Sequence, residues 1–405
     1  MRRWGLLGFV ALACGGGDDP PGSAGPTADT SGVTDSVPSG PITGPGVLVA
    51  SPVPYPIEGP QIAVAPGGQL VAVAWVQRDA ASYPQLWVST SVDGLSFSAP
   101  VRVSGAEERV QSGWPRGPAL VFDDDRLLVA WVSAPRQGAY RATVRSVSWS
   151  VDGLGDSWVD HTTVRVPVSY HSLSYPVLAV EADGQAVLGV VASPVLDGRV
   201  WVARESEGWA VEDVNEGRDQ EPPCECCPAA LLARPDGELV VAWRGDVRKE
   251  VYVARARPGE VFGDAATVTA TGIEALACPL DGPQLIDEGD HLVLAWSDTR
   301  ATGARAWLSS EAQGWAAEPI GPHDEVQWRV SVAGEGAEQV AAWESGLYQP
   351  FRAMALDADQ AFDVVGPTGP LWQLRVATLG GTAVAAGIDE EGALWLVSLD
   401  PPDPR

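Results

Sequence analysis

From about residue 47 onward, polar and apolar residues alternate in short runs broken by Gly, Pro and Asp. Period-two runs bounded by turn formers predict β-strands, and almost no stretch has the 3.6-residue spacing of an amphipathic helix. One phrase recurs. It is a short apolar strand, often led by Pro, then a turn with Asp-Gly or Gly-Gly, then an alternating strand closing in Ala-Trp. Copies are GPQIAVAPGGQLVAVAW to Trp75, GPALVFDDDRLLVAW to Trp131, PAALLARPDGELVVAW to Trp243 and GPQLIDEGDHLVLAW to Trp296. Weaker copies end at Val191, Trp343 and Gly387. Each of the first six copies is followed by a further strand and a turn with an aromatic residue, at Phe97, Trp158, Trp209, Phe262, Trp315 and Phe362.

Inner strands starting near Gln61, Ala119, Val177, Ala229, Gln284, Val330 and Arg375 define seven units, about 45 to 58 residues apart. That period holds four short strands, the blade of a β-propeller. The predicted fold is all-β, a seven-bladed β-propeller of four-stranded blades. Six blades is the alternative if the third or seventh copy is an insertion or an incomplete blade. The last unit stops at its third strand, Leu394 to Leu399, and a strand near Val47 to Ala50 supplies the fourth. Closing the ring in this way hides strand edges that would otherwise pair with another chain. The tryptophans at positions 75, 131, 243, 296 and 343 share one place in the unit and are expected in the core between blades.

The ends of the chain change the picture. Met1 to Cys14 carries two arginines, a short apolar run and Ala11-Leu12-Ala13-Cys14. This resembles a bacterial lipoprotein signal peptide, with residues 1–13 removed and Cys14 lipidated; an ordinary secretory signal is the other reading. Residues 14–45 form a Gly/Pro/Ser/Asp-rich tether with too few apolar side chains to offset the entropy of ordering. The propeller spans 46–400, and 401–405 is a tail. With 53 acidic against 26 basic residues, the net charge is −27, and Lys249 is the only lysine. That field repels nucleic acid. The expectation is a monomeric protein of the bacterial cell envelope, facing the periplasm or the exterior. It would meet the membrane through its lipid and use no cofactor.

Cys224, Cys226 and Cys227 precede one inner strand, and Cys278 precedes the next by nearly the same offset. All four therefore belong on one rim of adjacent blades. An oxidising compartment favours disulfides, with Cys278 bridged to one of the cluster and the other two joined. A four-thiolate zinc or copper site is the competing account, which the adjacency of Cys226 and Cys227 makes awkward. No metal is assigned.

SVDGLSF at Ser91 to Phe97 and SVDGLGDSW at Ser150 to Trp158 resemble the Asp-box hairpin of sialidase-like (BNR repeat) propellers. CECCPA and ACPLDGP also resemble elements of envelope propellers of that kind. The resemblance implies a propeller, with a six-bladed sialidase-type ring as the variant, and Asp93 and Asp152 as turn formers. It does not by itself imply catalysis. A sialidase would need three arginines around a carboxylate, a tyrosine nucleophile paired with a glutamate, and an aspartic acid. The Arg-Ile-Pro opening of that family is replaced here by YPIEGPQI, Tyr55 to Ile62, so the first arginine is missing.

Loops before inner strands and after second strands share one rim. Candidate ligand-binding residues there are Arg116, Arg329, Arg375, Asp281, Asp298, Arg300 and Tyr348. The arginines are suited to clamp a carboxylate with parallel donors, or to pair with an acidic neighbour. Tyr348 lies four residues after Glu344, and Asp281 is either a binding group or a satisfied loop carboxylate. The leading reading is a noncatalytic envelope lipoprotein whose rim binds a glycan or an envelope protein. The alternative is an exo-acting, sialidase-like glycoside hydrolase acting on an acidic sugar, and a third is a mainly structural role.

Overall fold

The computed structural model describes residues 46–399, except 53–54, 69, 113–116, 134–139, 151–152, 156, 166–171, 194–197, 217–219, 225, 269–281, 301–302, 322–325, 335–338, 346–350, 357–360 and 380–381. Seven antiparallel sheets of four main strands follow one another along the chain. Their innermost strands are Ile57–Val64, Ala119–Phe122, Ser172–Val180, Ala230–Ala233, Gln284–Asp287, Trp328–Ala333 and Trp372–Leu379, which number the blades 1 to 7. In blades 1 to 6 the chain steps outward to three further strands before crossing to the next blade. Blade 2 carries an added short strand, Gly153–Leu154, and a two-stranded hairpin, Val365–Gly366 with Gly369–Pro370, precedes blade 7. The third and seventh copies of the repeat are complete blades, so the ring has seven.

Closure comes from the other end of the sequence. Gly46–Ala50 pairs antiparallel with Leu394–Ser398, Leu48 opposite Trp395, and so becomes the outer strand of blade 7.

Second strands explain why the repeat is most apolar there. Val71–Arg78, Arg126–Ser133, Leu239–Arg244 and Val340–Glu344 are buried over most or all of their length because each face enters a different gap between blades. Seven apolar clusters fill the seven gaps, and the one joining Trp75 and Val71 to Val384, Leu394 and Leu396 seals blade 1 to blade 7. The five repeated tryptophans are at most 1% exposed, each packed toward the preceding blade. Outer strands such as Val101–Arg102 are exposed, as a rim strand of this kind must be.

Polar side chains finish what the sheets leave open. Asp93 Oδ1 accepts from the N–H groups of Leu95 and Ser96 at 2.8 and 2.9 Å and from Ser91 Oγ at 2.9 Å, making it a turn former. Asp389 does the same inside blade 7. It accepts from Ala393 N, Glu391 N, Trp395 Nε1 and Thr368 Oγ1. Burial works against the Asp389 charge, yet these hydrogen bonds outweigh it and hold the carboxyl below the usual carboxylate range.

Asp389→Ala should leave the Trp395 indole N–H and two backbone donors without their acceptor. Unfolding free energy should fall by about 1–3 kcal/mol, read from urea midpoints. A lowered folded pKa gives stability that is complete above the ordinary carboxylate range and is lost as pH falls through the folded value. The difference between wild type and variant should therefore shrink on acidification below about pH 4.

Candidate functional site

Inner strands begin at the channel mouth, and four of them carry a bulge there. The register shifts between Glu58 and Gln61, Ser174 and Val177, Trp328 and Ser331, and Trp372 and Arg375. At each shift one residue has positive φ: Gly59 at 57°, Tyr175 at 55°, Arg329 at 51° and Gln373 at 52°. Only glycine adopts this conformation without strain, so three of the four positions carry a cost of about 1–2 kcal/mol. What the bulges achieve is direction. The Tyr175 hydroxyl donates to the Cys226 carbonyl at 3.0 Å, in the segment entering blade 4. Gln373 Oε1 accepts from Gly59 N at 2.9 Å, tying blade 7 to blade 1. Arg329 Nη1 reaches Glu344 Oε2 at 2.9 Å.

The channel holds a cavity of about 390 Å³ walled by the inner strands. Its wall is uneven. Gln61, Gln284, Ser331 and Arg375 supply polar groups on the arc of blades 5, 6, 7 and 1, while Ala119, Val177 and Ala230 line the arc of blades 2 to 4. Two of the polar residues also lock neighbouring blades. Gln284 Oε1 accepts from Val332 N at 2.8 Å and Ser331 Oγ from Val376 N at 3.2 Å. With its oxygen engaged, Gln284 has its amide NH₂ left as a donor. Arg375 is half-buried and places a guanidinium on the same arc, one N–H on the Leu374 carbonyl at 3.1 Å. A cavity with guanidinium, amide and hydroxyl groups on one side and small apolar side chains on the other suits a polyhydroxylated or anionic ligand.

Among the described residues expected to bind ligand, Arg375 is the one in this cavity. Arg329 is 3% exposed and paired with Glu344, itself 1% exposed. Its left-handed backbone turns it from the channel toward its own second strand, so an arginine expected at an open cleft is a buried ion pair. Charges this deep persist only when paired. Asp298 is fully buried as well. Its neighbour Ser297 accepts from Val330 N at 3.2 Å through its hydroxyl and from Arg244 Nη2 through its carbonyl. Arg300 ends the second strand of blade 5, Leu292–Arg300, at the rim. Arg116, Asp281, Tyr348, Cys278 and Cys14 lie outside the described residues. Sequence reasoning missed Gln61, Gln284 and Ser331, although Gln61 and Gln284 start inner strands as Arg375 does.

The cysteine cluster is buried beside blade 4, with Cys224, Cys226 and Cys227 at 1, 8 and 2% exposure. Cys226 is disulfide-bonded. Cys224 N–H is tied to the Arg244 carbonyl at 2.8 Å and Cys227 N–H to the Cys224 carbonyl at 3.1 Å, a tight turn. The Cys224 sulfur instead accepts from Lys249 Nζ at 3.5 Å, and Lys249 also pairs with Asp246 at 3.1 Å. Nearby, burial and the carboxylates of Glu221 and Glu250 push the Tyr252 phenol well above its ordinary range, keeping it a donor to Glu250 at 3.0 Å. Among the described residues, no group of three or more His, Cys, Asp or Glu is arranged to hold a metal.

Alkylation of the unfolded protein should spare Cys226 until dithiothreitol is added, as peptide mass mapping would show.

No protein-family model matches the sequence, and no curated protein matches it. Solved structures do share its fold. The BP39L lectin from Burkholderia pseudomallei aligns with a TM-score of 0.58 at 15% identity, over 85% of this chain and 98% of the lectin. Puromycin hydrolase aligns with a TM-score of 0.54 at 16% identity, over 86% of this chain and 55% of the hydrolase, so the chain spans about half the length of that enzyme. The Hadza microbial sialidase Hz136 aligns with a TM-score of 0.49 at 11% identity, over 87% and 68%. The fold is thus a seven-bladed, all-antiparallel β-propeller, shared with a hydrolase and with a lectin.

Proposed function

We propose that the protein recognises an acidic carbohydrate at the mouth of its central channel, without chemically changing it. The observation that carries this reading is the polar arc of Arg375, Gln61, Gln284 and Ser331 on one wall of the cavity. A guanidinium is a strong partner for a carboxylate, and amide and hydroxyl groups suit sugar hydroxyls. The small apolar opposite wall leaves room for a ring. Whole-length likeness to a lectin supports the reading, since that propeller is not accompanied by a second domain in the aligned chain. In this reading the lipid on Cys14 tethers the propeller to an envelope membrane, where such glycans are met.

Hydrolysis of an acidic sugar is the second reading. It is favoured by the presence of the same fold in a hydrolase, whose own length the chain matches only in part. The missing first arginine and the pairing of Arg329 with Glu344 weigh against it.

A panel of immobilised acidic and neutral glycans, followed by calorimetry on the best ligand, tests recognition. Arg375→Ala should weaken binding by about 10- to 100-fold with an unchanged melting temperature, the worth of one charge-assisted hydrogen-bonded contact. Equal affinity in the variant, or no binding to any acidic glycan, would defeat the proposal. Release of fluorophore from a fluorogenic sialoside by the wild type would establish the hydrolytic reading in its place.

A further inference from the structure

Blades 2 and 3 meet through Ser146, His161 and Glu205, at the ends of the strands away from the channel mouth. Ser146 lies on the third strand of blade 2, Arg141–Ser150, and His161 on the fourth, Val159–Arg165. Glu205 opens the short 3₁₀ turn after the third strand of blade 3. His161 is the extra residue of a bulge, since the register passes from Asp160↔Arg145 to Thr162↔Val144 and leaves it without a Cα partner. A bulge re-aims the side chain it carries, and here the imidazole turns between a hydroxyl and a carboxylate. Ser146 Oγ and His161 Nε2 are 2.6 Å apart, and His161 Nδ1 and Glu205 Oε1 are 3.0 Å apart.

The chemistry of this relay is directional. A carboxylate accepts from Nδ1–H, which leaves the lone pair on Nε2 to receive the Ser146 proton. Glu205 is itself fixed, its Oε2 taking hydrogen bonds from Arg126 Nη2 and Ala186 N at 3.0 Å each. Arg126 is held in turn by Asp123 at 2.6 Å and by the Gly184 carbonyl. Burial opposes the Glu205 charge, but the Arg126 and Ala186 hydrogen bonds prevail and keep the carboxyl below its ordinary range. Ser146 is 5% exposed and the His161 side chain 15%, so approach is restricted to small molecules.

The geometry assigns Ser146 as an activated nucleophile, His161 as its general base and Glu205 as the positioning residue, in a second site that accepts acyl groups from small carboxylic esters. Ser146 Oγ bonds to the ester carbonyl carbon as its proton passes to His161 Nε2. The acyl C–O bond then breaks, the alkoxide takes the proton from His161 and leaves as an alcohol, and Ser146 carries the acyl group. Water repeats the sequence, giving its proton to His161 and its oxygen to the acyl carbon, and Ser146 regains its hydrogen as the carboxylic acid departs.

The test uses the full chain with diisopropyl fluorophosphate, followed by intact mass and peptide mapping, and with p-nitrophenyl acetate as substrate. A single adduct on Ser146 is expected, absent in Ser146→Ala, which leaves the Arg126 and Glu205 pair untouched and serves as the folded control. His161→Gln should slow labelling and ester hydrolysis by about 100-fold or more. Glu205→Gln should lower kcat for p-nitrophenyl acetate with KM unchanged, and Glu205→Asp should restore part of the loss; a merely structural role would leave kcat in place. No adduct on Ser146 in the folded wild type between about pH 6 and 9, or equal labelling of His161→Gln, would overturn the assignment.

Discussion

The second strand of each blade faces two neighbours at once, so its side chains must satisfy two gaps with one sequence. Trp75 fills the gap toward blade 7 while Ala72 and Ala74, on the other face of the same strand, fill the gap toward blade 2. Large residues on one face and small ones on the other let curved sheets close around a channel without voids. Apolar clusters fill the gaps, and the cavity with its polar arc is left to the channel.

The channel wall uses its polar residues twice. Gln284, Ser331 and Gln373 each accept from an N–H of the next blade's inner strand, an edge with no further strand to pair with. Side chains thereby perform the work of a missing strand, and two of them also shape the cavity. A buried version occurs at Arg329 and Glu344, where neither charge faces the cavity. Arg329, at the bulge of blade 6, and Arg375, two residues past the equivalent Gln373 of blade 7, thus differ in role through their places on the inner strand.

Strand count, ring closure and the tryptophan core were legible because each depends on a pattern repeated through the chain. Val47 to Ala50 could be assigned to the last blade because Leu394 to Leu399 visibly lacked a partner. The bulges were not legible. Tyr175, Arg329 and Gln373 take left-handed backbone without a glycine to announce it, so alternation assigns their side chains to the wrong direction. Ser146, His161 and Glu205 were hidden for a related reason, since a one-residue bulge and a contact between blades bring them together. The turn-forming role of Asp93 was readable, because short-range hydrogen bonds decide the geometry there. Cysteine pairing was not, because spacing leaves several connectivities open.

The outer strand of blade 7 has a consequence for the order in which the chain matures. Gly46–Ala50 leaves the ribosome before any blade exists, yet its partner Leu394–Ser398 is made only after the other strands of the ring. Each hairpin within a blade joins neighbours in sequence, whereas this pairing spans nearly the whole domain and carries the largest loop-closure entropy in the fold. During synthesis the chain is an open arc with two unsatisfied ends, both of them strand-forming and both able to pair with a foreign edge. Completion is therefore a late, single event that joins the oldest residues of the domain to the youngest, and a nascent chain is shielded from its own kind only once that event has taken place.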